Sequence, residues 1–317
     1  MSHLSQPALC DASGPFPLPL LDRRILVTGA SGFLGSALLP HLTEAGAAVT
    51  GVARRPAQAV GSCELQPVDL CDRDAVGAAF ARSKPEIVVH LAGHVDGRAD
   101  PALLPATFAA NVVATFNVLL AASEHHCERV LLTSTSGAVL ADDGAPTPYG
   151  VSKAVMELYG RTFDALCGLP VLCLRPFLTY GPGQAREKLI PYTILSFLNA
   201  RSPTILNGGK VVDLIYVEDV VSGLLRACIV KPSTIAGEAI DLGTGRPTLI
   251  RDVVMTLARL VDRSRHAIFA EYPTEDWRNT AGSLADLSQG RALLGWEPRW
   301  TLEDGLLQTV RWYAQRP

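Results

Sequence analysis

At 317 residues, with 48% hydrophobic and 19% charged residues, the chain is long and apolar enough to form a substantial core in one large domain or two modest ones. This composition excludes an intrinsically disordered protein, and the net charge of −3 provides no basic surface for nucleic acid. No apolar run reaches the roughly 18 residues of a membrane-spanning helix, so we expect no membrane association.

The N-terminal residues and the cysteines indicate a cytoplasmic protein. Residues 1–22 contain four prolines and lack the basic start and apolar core of a signal peptide, so we interpret them as a flexible tail. The seven cysteines are odd in number, include no Cys-x-x-Cys motif and mostly lie in apolar surroundings. We therefore expect buried, reduced thiols and no metal site.

Apolar runs alternate with helical patterns through the first half of the chain. The predicted strands are Arg24–Thr28, Ala48–Ala53, Glu64–Pro67, Ile87–Ala92, Val130–Thr133 and Val171–Arg175. The predicted helices are Phe33–Ala45, Arg73–Arg82, Leu104–His125 and Pro148–Leu166. Near-continuous apolar strands are typical of a parallel sheet that is covered on both faces. The alternation predicts an α/β fold with a Rossmann-like, doubly wound parallel sheet.

The chain after Tyr180 is less regular. Its predicted helices are Ile190–Ala200, Val217–Ile229, Ile250–Val261 and Leu302–Ala314, and its predicted strand is Glu238–Gly243. We expect one domain over residues 23–180, to which residues 211–245 return. Residues 181–210 and 246–317 form a smaller C-terminal lobe, and the cleft between the two is the expected binding site.

The stretch Thr28–Gly35 follows the first predicted strand and opens the first predicted helix. In this context Gly29 permits a sharp turn, Gly32 permits close approach of a pyrophosphate, and Gly35 lets the helix pack against the strand. The free N–H groups at the helix start favour phosphate. A glycine triplet alone is equally typical of an ordinary α/β turn. Together with the rest of the chain, it predicts that residues 23–180 bind a dinucleotide.

The end of the second predicted strand bears on which dinucleotide is bound. NAD-binding units usually carry an acidic residue there for the ribose 2′-hydroxyl, whereas this chain has Arg54 and Arg55. Arginine pairs well with the 2′-phosphate of NADP, so the pattern favours NADP(H) over NAD(H); an exposed basic loop is the alternative. Asp69, one strand further on, is placed either to accept a hydrogen bond from the adenine amino group or to serve as a turn residue.

Tyr149 and Lys153 are the second informative pair. Thr147 and Pro148 are typical of a helix start, which places the two side chains one turn apart on one face. A free tyrosine has a pKa near 10, and a nearby lysine cation lowers it. The hydroxyls of residues 133–136, at a strand end, are candidates to bind the reacting oxygen.

Three polar residues lie within apolar segments. A buried amide in a helix needs hydrogen-bond partners, so we expect structural roles for Asn111 and Asn117. We expect His90 to be a packed histidine, while the small residues after it let the backbone approach a cofactor.

With these residues assembled, the chain resembles the extended short-chain dehydrogenase/reductases of the NAD-dependent epimerase/dehydratase family. The matching motifs are Thr28–Gly35, Asp69, His90–Gly93, Asn111, Ser134–Ser136, Tyr149–Lys153, Arg175–Gly183, Tyr216–Val221, Asp241–Gly245 and Asp286–Pro298. The resemblance implies a catalytic hydroxyl, tyrosine and lysine. Counting back from Val139 of a Ser-x-x-Val pattern gives Ser136 as the hydroxyl, with Ser134 and Thr135 left open, and Tyr149 and Lys153 complete the set.

The resemblance also implies residues that bind the cofactor and the substrate. The expected cofactor-binding residues are Gly29, Ser31, Gly32, Phe33, Leu34, Gly35, Arg54, Arg55, Asp69, Leu70, Leu91, Ala92, Gly93, Asn111, Thr133, Tyr149, Lys153, Pro176 and Thr179. The expected substrate-binding residues are His94, Ser136, Phe177, Lys188 and Arg278.

The chain departs from the family pattern at three places. Members that act on nucleotide sugars often have an arginine for the pyrophosphate where this chain has Val212, and an asparagine near the position of Lys188. Arg278 and Arg246 are candidates to replace that arginine. Residues 137–138 are Gly-Ala, where the sugar 4,6-dehydratases have an acidic pair, so we set dehydration aside.

The expected function is NADP(H)-dependent reduction of a keto sugar linked to a nucleotide, such as a dTDP-4-keto-6-deoxyhexose. Ser136 would polarise the carbonyl oxygen, Tyr149 would donate the proton, and Lys153 would tune Tyr149 and hold the ribose. An NAD-dependent nucleotide-sugar epimerase is the alternative, and a non-catalytic NADP-binding regulator is a second. The resemblance also suggests a homodimer through the helices Leu104–His125 and Pro148–Leu166.

Overall fold

The computed structural model describes residues 20–54, 63, 65–138, 147–262, 264–270 and 284–316. The strands are β1 (Arg24–Thr28), β2 (Ala48–Ala53), β3 (Leu65–Pro67), β4 (Ile87–His90), β5 (Arg129–Thr133), β6 (Val171–Pro176), β7 (Leu178–Tyr180), β8 (Thr204–Leu206), β9 (Val211–Val212), β10 (Leu214–Tyr216), β11 (Ala239–Leu242), β12 (Thr248–Leu249) and β13 (Ile268–Ala270). The α-helices are α1 (Phe33–Glu44), α2 (Arg73–Ser83), α3 (Leu104–Thr107), α4 (Ala114–Glu124), α5 (Pro148–Cys167), α6 (Leu189–Leu198), α7 (Val217–Ile229), α8 (Pro232–Ile235), α9 (Ile250–Val261) and α10 (Leu302–Ala314).

Seven parallel strands form the central sheet in the order β3-β2-β1-β4-β5-β6-β11. Successive side chains of β1 point to opposite faces, and both faces are buried: Ile25 and Val27 belong to one apolar cluster and Leu26 to the other. The predicted Rossmann-like, doubly wound sheet is therefore confirmed. Its strand order reverses between β1 and β4, and ligands of such sheets bind at this point, outside the carboxyl ends of the strands.

The second half of the chain divides between the sheet and a smaller lobe. β11 pairs with β6 at the edge of the central sheet, and α7 packs on α1 and on the same sheet. Residues 211–216 do not return to that sheet, because the short strands β9 and β10 pair instead with β12 and β7. The helices α6, α9 and α10 pack on one another and form the core of the lobe.

One helical segment, Pro101–Glu124, is by length and composition apolar enough to cross a membrane. The sequence expectation that no such run exists is therefore wrong, because residues 101–123 contain no charged side chain. In the structure this segment packs against α5 and the central sheet. Asn117, buried within it, donates a hydrogen bond of 2.9 Å to the Leu70 oxygen, as is usual for a core helix of a globular domain.

Most cysteines that the structure describes are buried. Burial raises the pKa of Cys127, Cys173 and Cys228 to about 12, so these thiols stay protonated at neutral pH. Cys71 and Cys167 are exposed.

Candidate active site

The glycine turn lies between β1 and α1, at the carboxyl edge of the sheet. Gly29 has φ +66°, and a Cβ added there would lie 2.7 Å from the Ala92 nitrogen. A Cβ at Gly35 would lie 2.4 Å from the Gly29 oxygen, so glycine is required at both positions. Gly32 is the N-cap of α1, and the first turn of this helix, which the structure describes in full, contains no acidic residue. The helix start therefore fits a phosphate group.

Arg54 and Asp69 follow the neighbouring strands β2 and β3 at the same edge, and both are exposed. The Asp69 carboxylate accepts a hydrogen bond of 3.0 Å from the Cys71 nitrogen, so it also supports a turn. Burial raises the pKa of the Cys71 thiol, and the positive charge of nearby Arg54 opposes that shift. Arg54 thus lies near the segment that carries Asp69. Arg55 is outside the described residues.

The segment after β4 passes beside the glycine turn. The nitrogens of residues 91 and 92 donate hydrogen bonds to the oxygen and to Oγ1 of Thr28, both 3.2 Å long. A Cβ added at Gly93 would lie 2.9 Å from Asn111 Oδ1. Asn111 also accepts from the His94 nitrogen (2.7 Å) and donates to the His94 oxygen (3.1 Å). These contacts fix residues 91–94 as one wall of the predicted cofactor site.

Asn111 lies in a π-helical turn, Phe108–Val113, between α3 and α4. Such turns frequently occur at functional sites. Besides its bonds to residue 94, the Asn111 amide donates to Ser152 Oγ at 2.8 Å. It therefore connects the wall after β4 to α5, which agrees with the structural role predicted for it.

Tyr149 and Lys153 project from the first turns of α5. The helix begins as predicted, with Pro148 in its first turn and Thr147 Oγ1 accepting a hydrogen bond of 3.0 Å from the Gly150 nitrogen. Lys153 is buried and donates to the Thr133 oxygen at 2.7 Å. Its Nζ lies 5.9 Å from the centre of the Tyr149 ring. The pair predicted from the sequence is thus brought together at the end of β5.

Burial determines the charges of this pair. It lowers the pKa of Lys153 to about 8 and raises the pKa of Tyr149, against a hydrogen bond with Thr135 that acts in the opposite direction. The sequence led us to expect a lowered pKa for Tyr149, but the pKa is raised, because the loss of hydration on burial outweighs the hydrogen bond with Thr135. The phenol is therefore neutral at neutral pH and able to donate a proton.

Four hydroxyls follow one another at the end of β5. The side chain of Thr135 bonds to Tyr149, whereas Ser136 begins a short 3-10 turn, Ser136–Ala138, and is half-buried. Thr133 Oγ1 and Ser134 Oγ are buried and have no hydrogen-bond partner among the described residues. Of the alternatives that the sequence left open, Thr135 therefore remains a candidate for the catalytic hydroxyl beside Ser136. Val139, from which Ser136 was counted, is outside the described residues.

His90 is fully buried at the end of β4. Its Nδ1 lies 2.7 Å from Thr28 Oγ1 and its Nε2 lies 2.9 Å from Thr115 Oγ1. Burial, with a smaller contribution from the Lys153 charge, lowers the pKa of His90 to about 3. His90 is therefore neutral and holds two hydroxyls, consistent with the packed histidine that we expect.

The residues predicted to meet the nicotinamide and the substrate lie at the end of β6 and after it. Pro176 pairs with Leu242, and Phe177, also buried, donates its N–H to the Leu242 oxygen at 2.9 Å. Thr179 lies in β7, and Lys188 is exposed immediately before α6. Phe177 therefore offers a substrate little of its surface. Arg278 is outside the described residues.

These features fit a nicotinamide dinucleotide. The start of α1 at the glycine turn suits a phosphate group, and the buried Lys153 ammonium lies at the end of β5, at the same edge of the sheet. Thr133 Oγ1, Ser134 Oγ and His94 Nδ1 are buried without a hydrogen-bond partner among the described residues, and such groups call for a ligand or water.

Two contributors to this site were not predicted. Thr115 joins His90 to the π-helical turn, since its Oγ1 also bonds to the Asn111 oxygen at 2.5 Å. Glu157 is buried one helical turn after Lys153 and pairs with Arg175. The sequence did contain a signal for Glu157, because Tyr149, Lys153 and Glu157 are spaced four residues apart and so lie on one face of a helix.

The model of a known family, described as the NAD dependent epimerase/dehydratase family, matches residues 25–243. A dTDP-glucose 4,6-dehydratase of Neisseria meningitidis is 31% identical, over 92% of this chain and 93% of that protein. A crystal structure of UDP-glucose 4-epimerase from Thermotoga maritima with UDP-glucose has TM-score 0.83 and 25% identity, over 92% and 99% of the two chains. MoeE5 in complex with UDP-glucuronic acid and NAD has TM-score 0.81 and 29% identity, with the same coverage. The resemblance drawn from the sequence is confirmed.

Proposed function

The chain belongs to the NAD-dependent epimerase/dehydratase family of enzymes, and from this premise we propose that it reduces the keto group of a nucleotide-linked sugar with NADPH. The observation that carries the proposal is the end of β2, where Arg54 is exposed and follows the buried Ala53. An arginine at this position suits the 2′-phosphate of NADPH, and a carboxylate would suit NADH. A reductase draws on a reduced cofactor pool, so this preference favours reduction.

In the proposed reaction the carbonyl carbon gains a hydride, its oxygen gains a proton, and an alcohol results. When bound, NADPH supplies the hydride. Tyr149 supplies the proton, because burial keeps its phenol protonated. In this proposal, the hydroxyl of Thr135 or of Ser136 polarises the carbonyl oxygen. Lys153, fixed by the Thr133 oxygen, supplies positive charge beside Tyr149 and a donor for the ribose.

Dehydration is disfavoured despite the similarity to a 4,6-dehydratase. Eliminating water from a sugar requires an acid and a base beside the hydroxyl that leaves. Positions 137 and 138 hold Gly137 and Ala138, and neither side chain can transfer a proton.

Epimerisation with tightly held NAD is the second candidate. It is favoured by the similarity to the Thermotoga maritima epimerase and to MoeE5, whose structure holds NAD. An epimerase returns the hydride to the other face of the same sugar, so it gains from never releasing the cofactor. The fate of the cofactor therefore separates the two functions.

Titration of the protein with NADPH and with NADH, followed by nicotinamide fluorescence, tests the proposal. Losing one charge-assisted bond to a phosphate costs about 1.5–3 kcal/mol, or roughly ten- to hundredfold in affinity. Arg54→Ala should weaken NADPH binding by that factor and leave NADH binding nearly unchanged. Arg259→Ala, on α9, is the matched control and should change neither. Tighter binding of NADH by the wild type, or NAD that survives purification, would place epimerisation first.

We also propose that the protein is cytoplasmic and forms a homodimer. Large apolar side chains are exposed along both the Pro101–Glu124 segment and α5, including Phe108 and Leu158. A symmetric pairing of these two helices with their copies buries both rows.

A further inference from the structure

Glu157 is a buried carboxylate on α5, one turn after Lys153. Its side chain is 4% exposed, and both of its oxygens bond to the Arg175 guanidinium, from Nε at 2.8 Å and from an Nη at 2.5 Å. Burying a charged pair costs several kcal/mol of desolvation per ion, which good geometry only offsets. A pair of this kind is therefore weak evidence for stability, and its position beside Lys153 suggests another purpose.

The surroundings of Lys153 contain one anion among the described residues. His90 faces it from β4 and Cys173 from β6, and both are uncharged at neutral pH, with pKa values of about 3 and about 12. Tyr149, on the same helix, is a neutral phenol. The hydrogen bond of Lys153 is to a neutral oxygen, that of Thr133. The negative charge that balances the buried ammonium therefore comes from Glu157.

The Glu157 carboxylate is held from the sheet. Arg175 lies in β6, next to Pro176, and also lies 4.0 Å from Asp241 in β11. Asp241 accepts a hydrogen bond of 3.1 Å from the Asp286 nitrogen in the C-terminal part of the chain. Arg175 is thus fixed on two sides, and its planar fork fixes both oxygens of Glu157.

We propose that Glu157, clamped by Arg175, is a positioning residue for Lys153, which it keeps charged and directed toward the end of β5. This inference rests on the proposed function, in which Lys153 supports Tyr149 and binds the ribose. A buried lysine without a compensating charge becomes neutral near physiological pH, and then neither task is possible.

Titration of Lys153 by NMR in protein with ¹³C-labelled lysine tests this directly. The chain has five lysines, and loss of one signal in Lys153→Arg assigns the relevant one. Glu157→Gln should lower the pKa of Lys153 by about 1 pH unit, since a nearby opposite charge typically shifts a pKa by about 1–3 units. Glu124→Gln, in the exposed pair with Arg73, is the matched control and should leave it unchanged. A folded Glu157→Gln protein with an unchanged Lys153 titration overturns the proposal.

A second variant decides the matter if Glu157→Gln does not fold. Arg175→Gln removes the nearer of the two cations beside Glu157, the other being Arg161 at 3.6 Å, so the pKa of Lys153 should rise. An unchanged or lowered value contradicts the proposal. Neither measurement needs a substrate or a cofactor. If the variants change the pKa of Lys153 as expected but the wild type reduces no keto sugar, the proposed function alone is contradicted. If the wild type reduces a keto sugar but the variants leave the pKa of Lys153 unchanged, this inference alone is contradicted.

Discussion

At the scale of the residue, Tyr149 is the proposed proton donor, and its neutral phenol follows from burial. Tyr149→Phe removes that proton and little else, so cofactor affinity should stay near the wild-type value while turnover falls about 10²–10⁴-fold. Lys153→Met should impair both. Cofactor titration and turnover with a keto substrate measure the two effects. Near-normal turnover of the phenylalanine variant is incompatible with the proposed role.

His90 predicts how stability depends on pH. Its pKa is about 3 in the folded protein and near 6.5 when unfolded, so between these values the unfolded chain binds the extra proton. The contribution of His90 is complete above pH 6.5 and is lost as the pH falls. Lowering the pH from 7.5 to 5.5 should therefore reduce the free energy of unfolding by about 1.4 kcal/mol through His90 alone.

Urea unfolding at these two pH values measures the effect of His90. His90→Gln lowers stability at both, because two hydroxyls lose a partner, but it should lack the part of the pH dependence that His90 contributes. A pH dependence equal to that of the wild type means that His90 is not held neutral.

At the scale of the element, two helical glycines should respond oppositely to the same change. Alanine in place of helical glycine stabilises by about 0.5–1 kcal/mol when there is space for the methyl group. Gly77, in α2, has no atom within 4 Å of an added Cβ, so Gly77→Ala should be stabilising. Gly35, in α1, would place that Cβ 2.4 Å from the Gly29 oxygen, so Gly35→Ala should cost about 1–3 kcal/mol by overpacking.

Denaturant unfolding of both glycine variants gives the two values. Gly35→Ala should also weaken cofactor binding, since the clash is with the turn that carries the phosphate site, while Gly77→Ala should not. Equal effects of the two substitutions would show that α1 can move away from β1 without loss.

Periodicity and end signals predicted the helices well but not their irregularities. α7, α9 and α10 have the bounds predicted, because an apolar stripe and clear ends define them. The π-helical turn at Phe108–Val113 was not predicted, because the same apolar stretch suits an ordinary helix. Its cause is tertiary: Asn111 bonds to residue 94 and to α5, which are distant in sequence.

At the scale of the molecule, the sequence predicted which residues gather at one edge, because parallel strands end on the same side of a sheet. Tyr149 and Lys153 were placed by helical spacing alone. The sequence could not predict that Thr135 is the residue that bonds to Tyr149, because a shift of one residue along a loop changes which hydroxyl points inward. The Glu157–Arg175 pair joins a helix to a strand, and spacing within either element cannot reveal such a contact.

The proposed homodimer is the last prediction. Phe116 of α4 and Tyr159 of α5 lie with ring centres 5.5 Å apart, so these helices present one continuous apolar face to solvent. In an isologous dimer this face packs against the same face of the second subunit. A charged residue introduced on it is therefore buried once from each subunit. Leu158→Glu should therefore give a monomer of 33.8 kDa by light scattering, whereas we expect twice that mass for the wild type. Met255→Glu, on α9, is the matched control, since Leu158 is 59% and Met255 52% exposed. A monomeric wild type, or dissociation by both variants, would mean that this face is not the dimer interface.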